Sequence, residues 1–533
     1  MGHSASRSAA VALVCTSTLA FRVAVVEHRV ILPCGSASCG AETKAANVVA
    51  FASYAANASQ LGAQIVVFPE YGITGASSYP RSAWVSGGYT ETFPEATDAK
   101  RVVPCDSSST SGAFSAAPSV RALSCAARRE SIAIVANLAE YDRASGLMYN
   151  TDVVFDTDGA FIVTYRKQNL YGEREMSTPL TPRCAEVTFN TTFGVRFGIF
   201  TCADLIYAQP AVRLLQMPPM GLGVRHFVMP TSWSNVDAQM QVGGYAQGWS
   251  LLAGPGTSLA MANGRQDRME SGSGIWSGGV PLAFAYDTSS SVAGQVLVAE
   301  VAESVAEPVA EVTAAAEASA VALPSRARMA VNSSRHLMGL GRVHGAVRND
   351  WLFAPLSAGK LCSPNGLCCS VRTGSETEAS HDSFVIAVVD GIDGSGGTSW
   401  SAHGCSILPC STADESCLRY RAPPLSHSAG ALASVTVSLC GLAADDMTVP
   451  EVIASSGAHE QIMLHPNSTK HALAAAHANG NGFSAEGSFQ FVREDTGDCA
   501  TLAVETTASS GAVISSASIY GRRFADDVLP YSC

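Results

Sequence analysis

Apolar, strand-like runs alternate with longer helical stretches over the first half of the chain. The runs cover residues 22–26, 64–68, 132–137, 151–156, 160–165, 195–201 and 226–229. An Ala-rich stretch over 44–61 and a shorter one over 208–215 have the character of helices. Strands that are apolar at nearly every position are buried on both faces, and their alternation with helices is typical of layered folds. The pattern predicts an α/β fold over residues 21–285 with a largely buried sheet.

The pattern changes after residue 285. Residues 286–345 are rich in Val, Ala, Glu and Ser with almost no aromatic side chains, which indicates a linker, with a solvated helix as the alternative. Short alternating strands return over 383–389, 433–439, 488–492 and 512–520, separated by Gly, Ser, Pro and Cys. Residues 346–533 are therefore predicted to form a smaller, mostly-β domain that disulfides stabilise.

Length and charge limit the possible functions. A chain of 533 residues exceeds one ordinary domain, which agrees with a division into two. The net charge of −12 comes without a basic cluster, so a nucleic-acid partner is not expected. No apolar run reaches the ~20 residues that a membrane-spanning helix needs, so no transmembrane segment is expected.

The cysteines indicate an oxidising compartment. The chain has 16 of them, and many lie in short clusters: Cys34 and Cys39; Cys362, Cys368 and Cys369; Cys405, Cys410 and Cys417. Disulfides explain such clusters in loop-like sequence best. Zinc is the alternative for the C-terminal clusters, but they contain no paired CxxC knuckles and no neighbouring His pair.

The N-terminus agrees with export. Arg7 precedes an apolar run over 9–15, and small residues at 18–20 offer a cleavage site, so residues 1–20 are predicted to be a signal peptide. A simple N-terminal extension is the alternative. Glycosylation sequons start at Asn57, Asn190, Asn332 and Asn467, which fits a secreted glycoprotein. We therefore expect an extracellular protein, or one in the lumen of the secretory pathway.

Three of the apolar runs end in chemically competent side chains, which are Glu70, Lys167 and Cys202. Each has an ordinary explanation, as a turn glutamate, an edge lysine and a buried or disulfide-bonded cysteine. At a strand-to-helix junction, however, a helix N-terminus would lower the pKa of the Cys202 thiol. Together the three supply a base, a cation for an oxyanion and a nucleophile, which favours acyl transfer through a thioester.

Three motifs around these residues resemble the nitrilase superfamily, in its secreted biotinidase and vanin (pantetheinase) branch. They are FPEYGITG over 68–75, YRKQNLY over 165–171 and FGVRFGIFTCAD over 193–204. The resemblance implies an α-β-β-α sandwich followed by a cysteine-rich domain. It also implies a catalytic triad of Glu70, Lys167 and Cys202 that works without a metal or an organic cofactor.

The same resemblance suggests supporting residues and shows two departures. Glu173 is similar to a further glutamate that the family often has after the lysine, and Tyr171 lies in the same motif. Trp233 closes a matching Pro-Thr-Ser-Trp stretch. Ala203 stands where an aromatic residue is usual, which would widen the pocket floor, and Tyr71 stands where an acid is expected.

The implied activity is hydrolysis of a linear carboxamide. Pantetheine, which would give pantothenate and cysteamine, is the first substrate to expect, and biotinyl-lysine amides are the second. A catalytically silent extracellular homologue is the alternative from another class, since a fold and its motifs do not prove turnover. The expected partner is a small amide substrate, and the oligomeric state stays open.

Overall fold

The computed structural model describes most of both predicted domains. The described residues are 20–34, 36–75, 79–96, 101–106, 112–179, 187–217, 221–235, 240–265, 270–287, 294–302, 350–374, 384–395, 398–410, 412–418, 432–443, 446–457, 460–466, 487–493, 498–506 and 513–522. The predicted signal peptide, apart from Ala20, and residues 288–293 and 303–345 of the predicted linker lie outside the described residues.

The N-terminal domain contains strands and helices in alternation. In chain order its strands are β1 (Ala20–His28), β2 (Ile65–Val67), β3 (Ala133–Asp142), β4 (Leu147–Phe155), β5 (Phe161–Arg166), β6 (Val187–Asn190), β7 (Arg196–Ile199), β8 (His226–Thr231), β9 (Ser258–Asn263), β10 (Ser273–Ser277), β11 (Val280–Ala285) and β12 (Gly294–Ala302). Its helices are α1 (Gly40–Gln60), α2 (Arg81–Ser86), α3 (Pro118–Glu130), α4 (Arg213–Leu215) and α5 (Val242–Ala253).

These strands form two six-stranded sheets that face each other. The first has the order β12-β1-β2-β3-β4-β5 and the second β11-β10-β9-β8-β7-β6. Helices α1 and α3 pack on the outer face of the first sheet, and α5 packs on the second. The predicted α-β-β-α sandwich is therefore confirmed.

Strand β1 shows why the strands are apolar throughout. Val23 and Val25 belong to the core between the two sheets, whereas Ala24 and Val26 pack with the core beneath α1 and α3. Side chains alternate between the faces of a strand, so a sheet covered on both sides needs apolar residues at successive positions.

The parallel strands gather their carboxyl ends at one edge of the sandwich. Strands β1, β2 and β3 run parallel in the first sheet, and β7, β8 and β9 run parallel in the second. The Glu70 backbone N–H donates to the Thr231 carbonyl at 3.3 Å, which joins the turn after β2 to the last residue of β8. Side chains that follow β2 and β7 are thus brought to the same place.

The C-terminal domain consists mostly of β-structure, as predicted. Its strands are β13 (Trp351–Pro355), β14 (Lys360–Cys362), β15 (Cys368–Gly374), β16 (Phe384–Ser395), β17 (Thr398–Pro409), β18 (Ser434–Cys440), β19 (Met447–Gly457), β20 (Glu460–Ile462), β21 (His465–Pro466), β22 (Gly487–Arg493), β23 (Cys499–Thr506) and β24 (Val513–Arg522). They form two sheets, β13-β16-β17-β24-β19-β20 and β14-β15-β18-β23-β22-β21.

Disulfides connect neighbouring parts of both domains. The described pairs are Cys34–Cys39, Cys105–Cys125, Cys362–Cys368, Cys369–Cys405, Cys410–Cys417 and Cys440–Cys499. The prediction that the clustered cysteines form disulfides is confirmed. Within the described ranges, no helix is long and apolar enough to cross a membrane.

Helix α5 joins the two domains closely. A Cβ added at Gly248 would lie 2.0 Å from the Pro450 carbonyl oxygen, so only glycine permits this approach. The Gln247 Nε2 donates to the Leu464 carbonyl at 2.7 Å. The buried Glu451 carboxylate accepts the backbone N–H groups that precede α5, at 2.7 and 2.6 Å. The second domain therefore caps a helix of the first.

The predicted boundary at residue 285 needs a correction. Strand β12, which lies within the predicted linker, pairs antiparallel with β1 along its whole length and closes the edge of the first sheet. The first domain therefore extends to at least Ala302. The composition of β12 was misleading because most side chains of this edge strand are only partly buried, so polar residues such as Gln295 and Glu300 occur among its apolar ones.

Candidate active site

The structure brings Glu70 and Lys167 into direct contact. Glu70 lies in the turn after β2, and Lys167 directly follows β5. The Lys167 Nζ donates to the Glu70 Oε1 at 2.8 Å, and the Ser232 backbone N–H donates to the Glu70 Oε2 at 2.8 Å. Each of the two side chains is 2% exposed. A carboxylate that follows a central strand and an ammonium that follows the edge strand of the same sheet thus form a buried ion pair.

Glu173 is the second carboxylate at the ammonium. The Lys167 Nζ lies 3.2 and 3.0 Å from the two oxygens of Glu173. The Tyr71 hydroxyl donates to the Glu173 Oε1 at 2.7 Å, and the Tyr171 backbone N–H donates to the Oε2 at 2.7 Å. Tyr71, the departure from the expected acid, therefore acts here as a hydrogen-bond donor to an acid.

Asn150 connects the two carboxylates. Its Nδ2 donates to the Glu70 Oε1 at 2.6 Å and to the Glu173 Oε1 at 2.7 Å. Asn137 in turn donates to the Asn150 Oδ1 at 2.7 Å. An amide fixed at both ends holds the two acids at one separation.

The charges of this cluster reinforce each other. Burial acts to lower the pKa of Lys167, but the charges of Glu173 and Glu70 outweigh it and raise that pKa well above its usual value. Burial acts to raise the pKa of Glu173, but Lys167 and the hydrogen bonds outweigh it and lower that pKa. Lys167 therefore stays an ammonium and Glu173 a carboxylate at neutral pH.

Cys202 lies three residues beyond the end of β7, at the start of a short 3₁₀ helix, Cys202–Ile206. Among the described cysteines it is the one outside a disulfide, and it is 7% exposed. Its φ of +48° is unusual for a residue other than glycine. Such backbone strain persists where the surrounding structure imposes it, often at functional sites. The thiol lies within electrostatic reach of Glu70, Lys167 and Glu173.

The thiol pKa differs from the expectation. We predicted that a helix N-terminus would lower it, but burial and the charge of Glu70 raise it above the ordinary value, and Lys167 offsets only part of the increase. The five-residue 3₁₀ helix contributes too small a dipole to compensate for burial. Cys202 is therefore a neutral thiol at rest.

Two buried acids hold the segment that carries Cys202. Thr201 and Asp204 form a reciprocal capping box around the start of the 3₁₀ helix. The Thr201 hydroxyl donates to Asp152 at 2.6 Å, and the Tyr165 hydroxyl donates to Asp204 at 2.6 Å. Burial raises the pKa of Asp152 to about 8 and that of Asp204 to about 6. The segment with Cys202 is thus held by hydrogen bonds to side chains of β4 and β5.

The remaining predicted residues surround this centre. Tyr171 is half-buried, and its ring lies 6.1 Å from that of Trp400 in the second domain. Ala203 is buried beside Cys202. The Trp233 Nε1 donates to the Met240 carbonyl at 3.0 Å, so this side chain fixes the segment before α5. Of the described residues, no group of His, Cys, Asp and Glu is arranged to hold a metal ion.

The second domain also reaches the nucleophile segment. The Arg522 Nη1 donates to the Ile206 carbonyl at 3.1 Å, at the end of the 3₁₀ helix. Its guanidinium lies over the Tyr207 ring at 4.8 Å, and the side chain is fully buried. Sequence patterns gave no indication of this contact, because the two residues are more than 300 positions apart.

Sequence analysis also missed Asn137, Asn150, Asp152 and Asp204. A signal was present for two of them, because Asn150 and Asp152 interrupt the otherwise apolar strand β4. Polar side chains within a buried strand need partners, so their presence indicates a site or a structural network. Their spacing of two residues places both on the same face of the sheet.

Comparison with known proteins gives the family. A profile of the carbon-nitrogen hydrolases matches residues 22–241, which hold the whole cluster described above. Residues 22–241 thus match the carbon-nitrogen hydrolase domain. It is 29% identical to a pantetheinase of Bos taurus over 415 residues, which are 74% of this chain and 75% of that protein. It is 28% identical to a biotinidase of Takifugu rubripes over 393 residues, which are 69% of this chain and 74% of that protein.

Other relatives align over a shorter part. A pantetheinase of Sus scrofa is 33% identical over 298 residues, which are 53% of this chain and 55% of that protein. Among solved structures, an amidase from Nesterenkonia sp. has a TM-score of 0.37 and 20% identity, and the alignment covers 53% of this chain and 90% of that one. The predicted nitrilase superfamily, its pantetheinase and biotinidase branch, and the class of C–N hydrolase are confirmed by the family profile and these curated relatives.

Proposed function

We propose that this carbon-nitrogen hydrolase is a secreted amidohydrolase that cleaves a linear carboxamide through a thioester on Cys202. The buried contact of Lys167 with both Glu70 and Glu173, beside a free thiol, is the observation that carries the proposal. The six disulfides support secretion, because such bonds persist in oxidising compartments.

Acylation begins with the base. Glu70 takes the thiol proton, and the Cys202 sulfur attacks the amide carbon. The oxyanion accepts a hydrogen bond from Lys167 and another from a backbone N–H near Cys202. In the described part of the chain, Glu70 and Glu173 occupy two directions around the ammonium, so a third N–H is available to the oxyanion. Glu70 then gives its proton to the departing amine.

Deacylation uses the same base. Glu70 accepts a proton from water as the water attacks the thioester, and the released thiol recovers its proton when the acid leaves. Glu173 does not transfer protons in this scheme. With Asn150 it holds Lys167 and Glu70 in position and keeps the ammonium charged.

Pantetheine is the proposed substrate, because several relatives in the comparison are pantetheinases. Biotinyl-lysine amides are the second candidate, since biotinidases also match. Parallel assays with pantetheine and a biotinyl-lysine analogue distinguish the two. Turnover of neither, with a folded protein, would favour the catalytically silent alternative.

The nucleophile has its own test. Cys202→Ser should lose essentially all turnover and keep its fold, because a serine hydroxyl is a far poorer nucleophile at this base. Intact-mass analysis after a short substrate pulse should show an acyl adduct on the wild type and none on the variant. A serine variant with the wild-type rate would contradict the proposed mechanism.

A further inference from the structure

Thr231 at the end of β8 has a buried hydroxyl group that the resting site does not explain. The residue is fully buried, and its Oγ1 makes no hydrogen bond of good geometry within the described ranges. Most buried side-chain hydroxyls are paired, because an unpaired one loses water without replacement. Beside a reactive group, such a hydroxyl can donate to a charge that develops during the reaction.

The register of the second sheet places Thr231 beside Cys202. Strands β7 and β8 are parallel, with Ile199 opposite Val228. Extending this register by three residues brings Thr231 level with Cys202 at the carboxyl ends of the two strands. A contact from the Thr231 hydroxyl to the thiol also acts to lower the thiol pKa, so this hydroxyl lies close to the sulfur, although the contact does not have the geometry of a full hydrogen bond.

The backbone around Thr231 is fixed to the base. Its carbonyl accepts the Glu70 N–H at 3.3 Å and the Gly264 N–H at 3.1 Å. The next residue, Ser232, donates its N–H to the Glu70 carboxylate. The main chain that carries the hydroxyl is therefore held in place beside Glu70.

We propose that Thr231 is a further active-site residue, whose hydroxyl donates a hydrogen bond to the Cys202 sulfur when Glu70 removes the thiol proton. The proton passes from sulfur to Glu70, and Thr231 keeps its own proton and only turns it toward the new charge. A neutral thiol is a weak acceptor, whereas a thiolate is a strong one, so the bond forms with the charge. The inference rests on the proposed function, which makes Cys202 the nucleophile.

Lys167 alone does not stabilise the negative charge that develops on the Cys202 sulfur. Its ammonium is shared between two carboxylates, and the raised thiol pKa shows that its charge does not offset burial and Glu70. A donor that is preorganised and has no competing partner stabilises a developing charge without first breaking another bond. Thr231 meets both conditions.

The test compares three variants. Thr231→Val removes the hydroxyl and keeps the branched shape, and Thr231→Ser keeps the hydroxyl. Thr43→Val is the matched control, because Thr43 is equally buried but lies on α1 outside the first sheet. The readouts are the rate of Cys202 alkylation by iodoacetamide across pH, and kcat and KM for the amide substrate.

Thr231→Val should slow alkylation and lower kcat by about 10- to 100-fold, the range for hydrogen bonds to charged groups, with KM little changed. Thr231→Ser and Thr43→Val should remain close to the wild type. Wild-type alkylation of Thr231→Val would overturn the inference. So would an equal loss in Thr231→Ser, since packing of the methyl group would then explain the effect.

The two proposals fail separately. Alkylation needs no substrate, so slowed alkylation in a chain that hydrolyses no amide would support the hydroxyl contact and contradict the proposed activity. Normal turnover with alkylation independent of the hydroxyl would overturn only the inference. Circular dichroism verifies folding, and if Thr231→Val does not fold, Thr231→Ala against Thr231→Ser gives the same comparison.

Discussion

Replacing Lys167 by methionine tests the central ion-pair cluster. The Nζ lies 2.8 Å from Glu70 and 3.0 Å from Glu173, and the Lys167 and Glu70 side chains are 2% exposed. Removing one partner of a buried pair typically costs about 3–5 kcal/mol, because the remaining charge is left uncompensated. Lys167→Met leaves two carboxylates that share one amide donor, so we expect a loss of stability in the upper part of this range at neutral pH.

The loss should depend on pH in a defined direction. In the wild type the pKa of Glu173 is lower in the folded than in the unfolded protein. The carboxylate therefore contributes to folding stability above its pKa in the unfolded chain, and this contribution is lost as pH falls through the lowered pKa of the folded state. Without the cation, burial should raise this pKa, and the variant should lose stability as pH rises. The difference in urea midpoint between the two proteins should therefore grow from about pH 5 to about pH 8.

Turnover provides the second readout. Lys167→Met should lower kcat by about 10²–10³-fold with a smaller effect on KM, because the charge meets the oxyanion mainly in the transition state. Lys44→Met is the matched control, since Lys44 forms a buried pair with Glu91 at 3.1 Å outside the site. It should lose stability and keep its kcat. Normal turnover by Lys167→Met, or a stability loss that shrinks as pH rises, would refute the reasoning.

Three further predictions concern the second domain and the cysteines. Arg522→Met should lower kcat by about tenfold or more, because it removes a buried hydrogen bond of about 1.5–3 kcal/mol to the Ile206 carbonyl. Steady-state kinetics on the folded variant measure the change in kcat. Burial raises the pKa of Glu451 to about 8. Protonated Glu451 therefore contributes fully to folding stability below the pKa of this group in the unfolded chain, and the contribution is lost as pH rises. Glu451→Gln should accordingly flatten the decline in melting temperature between about pH 5 and pH 8. Thiol counting on unfolded, unreduced protein should find few thiols beyond Cys202, and stoichiometric zinc in the native protein would contradict this expectation.

Strands β1 to β5, β7 and β8 of the first domain were predictable, because a strand buried on both faces is apolar at successive positions, whereas β6 and β9 to β12 were not predicted. This holds for β1, β2 and β3, which agree with the predicted runs within a few residues. Helix α5 was missed because its glycines and small residues carry no amphipathic pattern, since one face packs on the second sheet and the other on β19. The small residues of α5 are explained by its close packing against the second domain.

The sequence by itself determined the chemistry available at the site. The motifs around Glu70, Lys167 and Cys202 were local, because each is a strand followed by its functional residue, and their resemblance to one family gave fold and activity class together. Glu173 was found in the same way. Such short-range patterns survive in sequence because neighbouring residues share one element and one environment.

Only the tertiary structure decided how these groups act on one another. The pKa of Cys202 depends on its burial and on charged residues that are distant in sequence, and a local sequence pattern contains neither. The pKa is therefore raised, whereas the sequence-based expectation was that it would be lowered. Asn150 meets Glu70 from 80 positions away, and Arg522 meets Ile206 from 316. Electrostatic interactions depend on separation in space and on exclusion of water, and both are set when sheets and domains pack together.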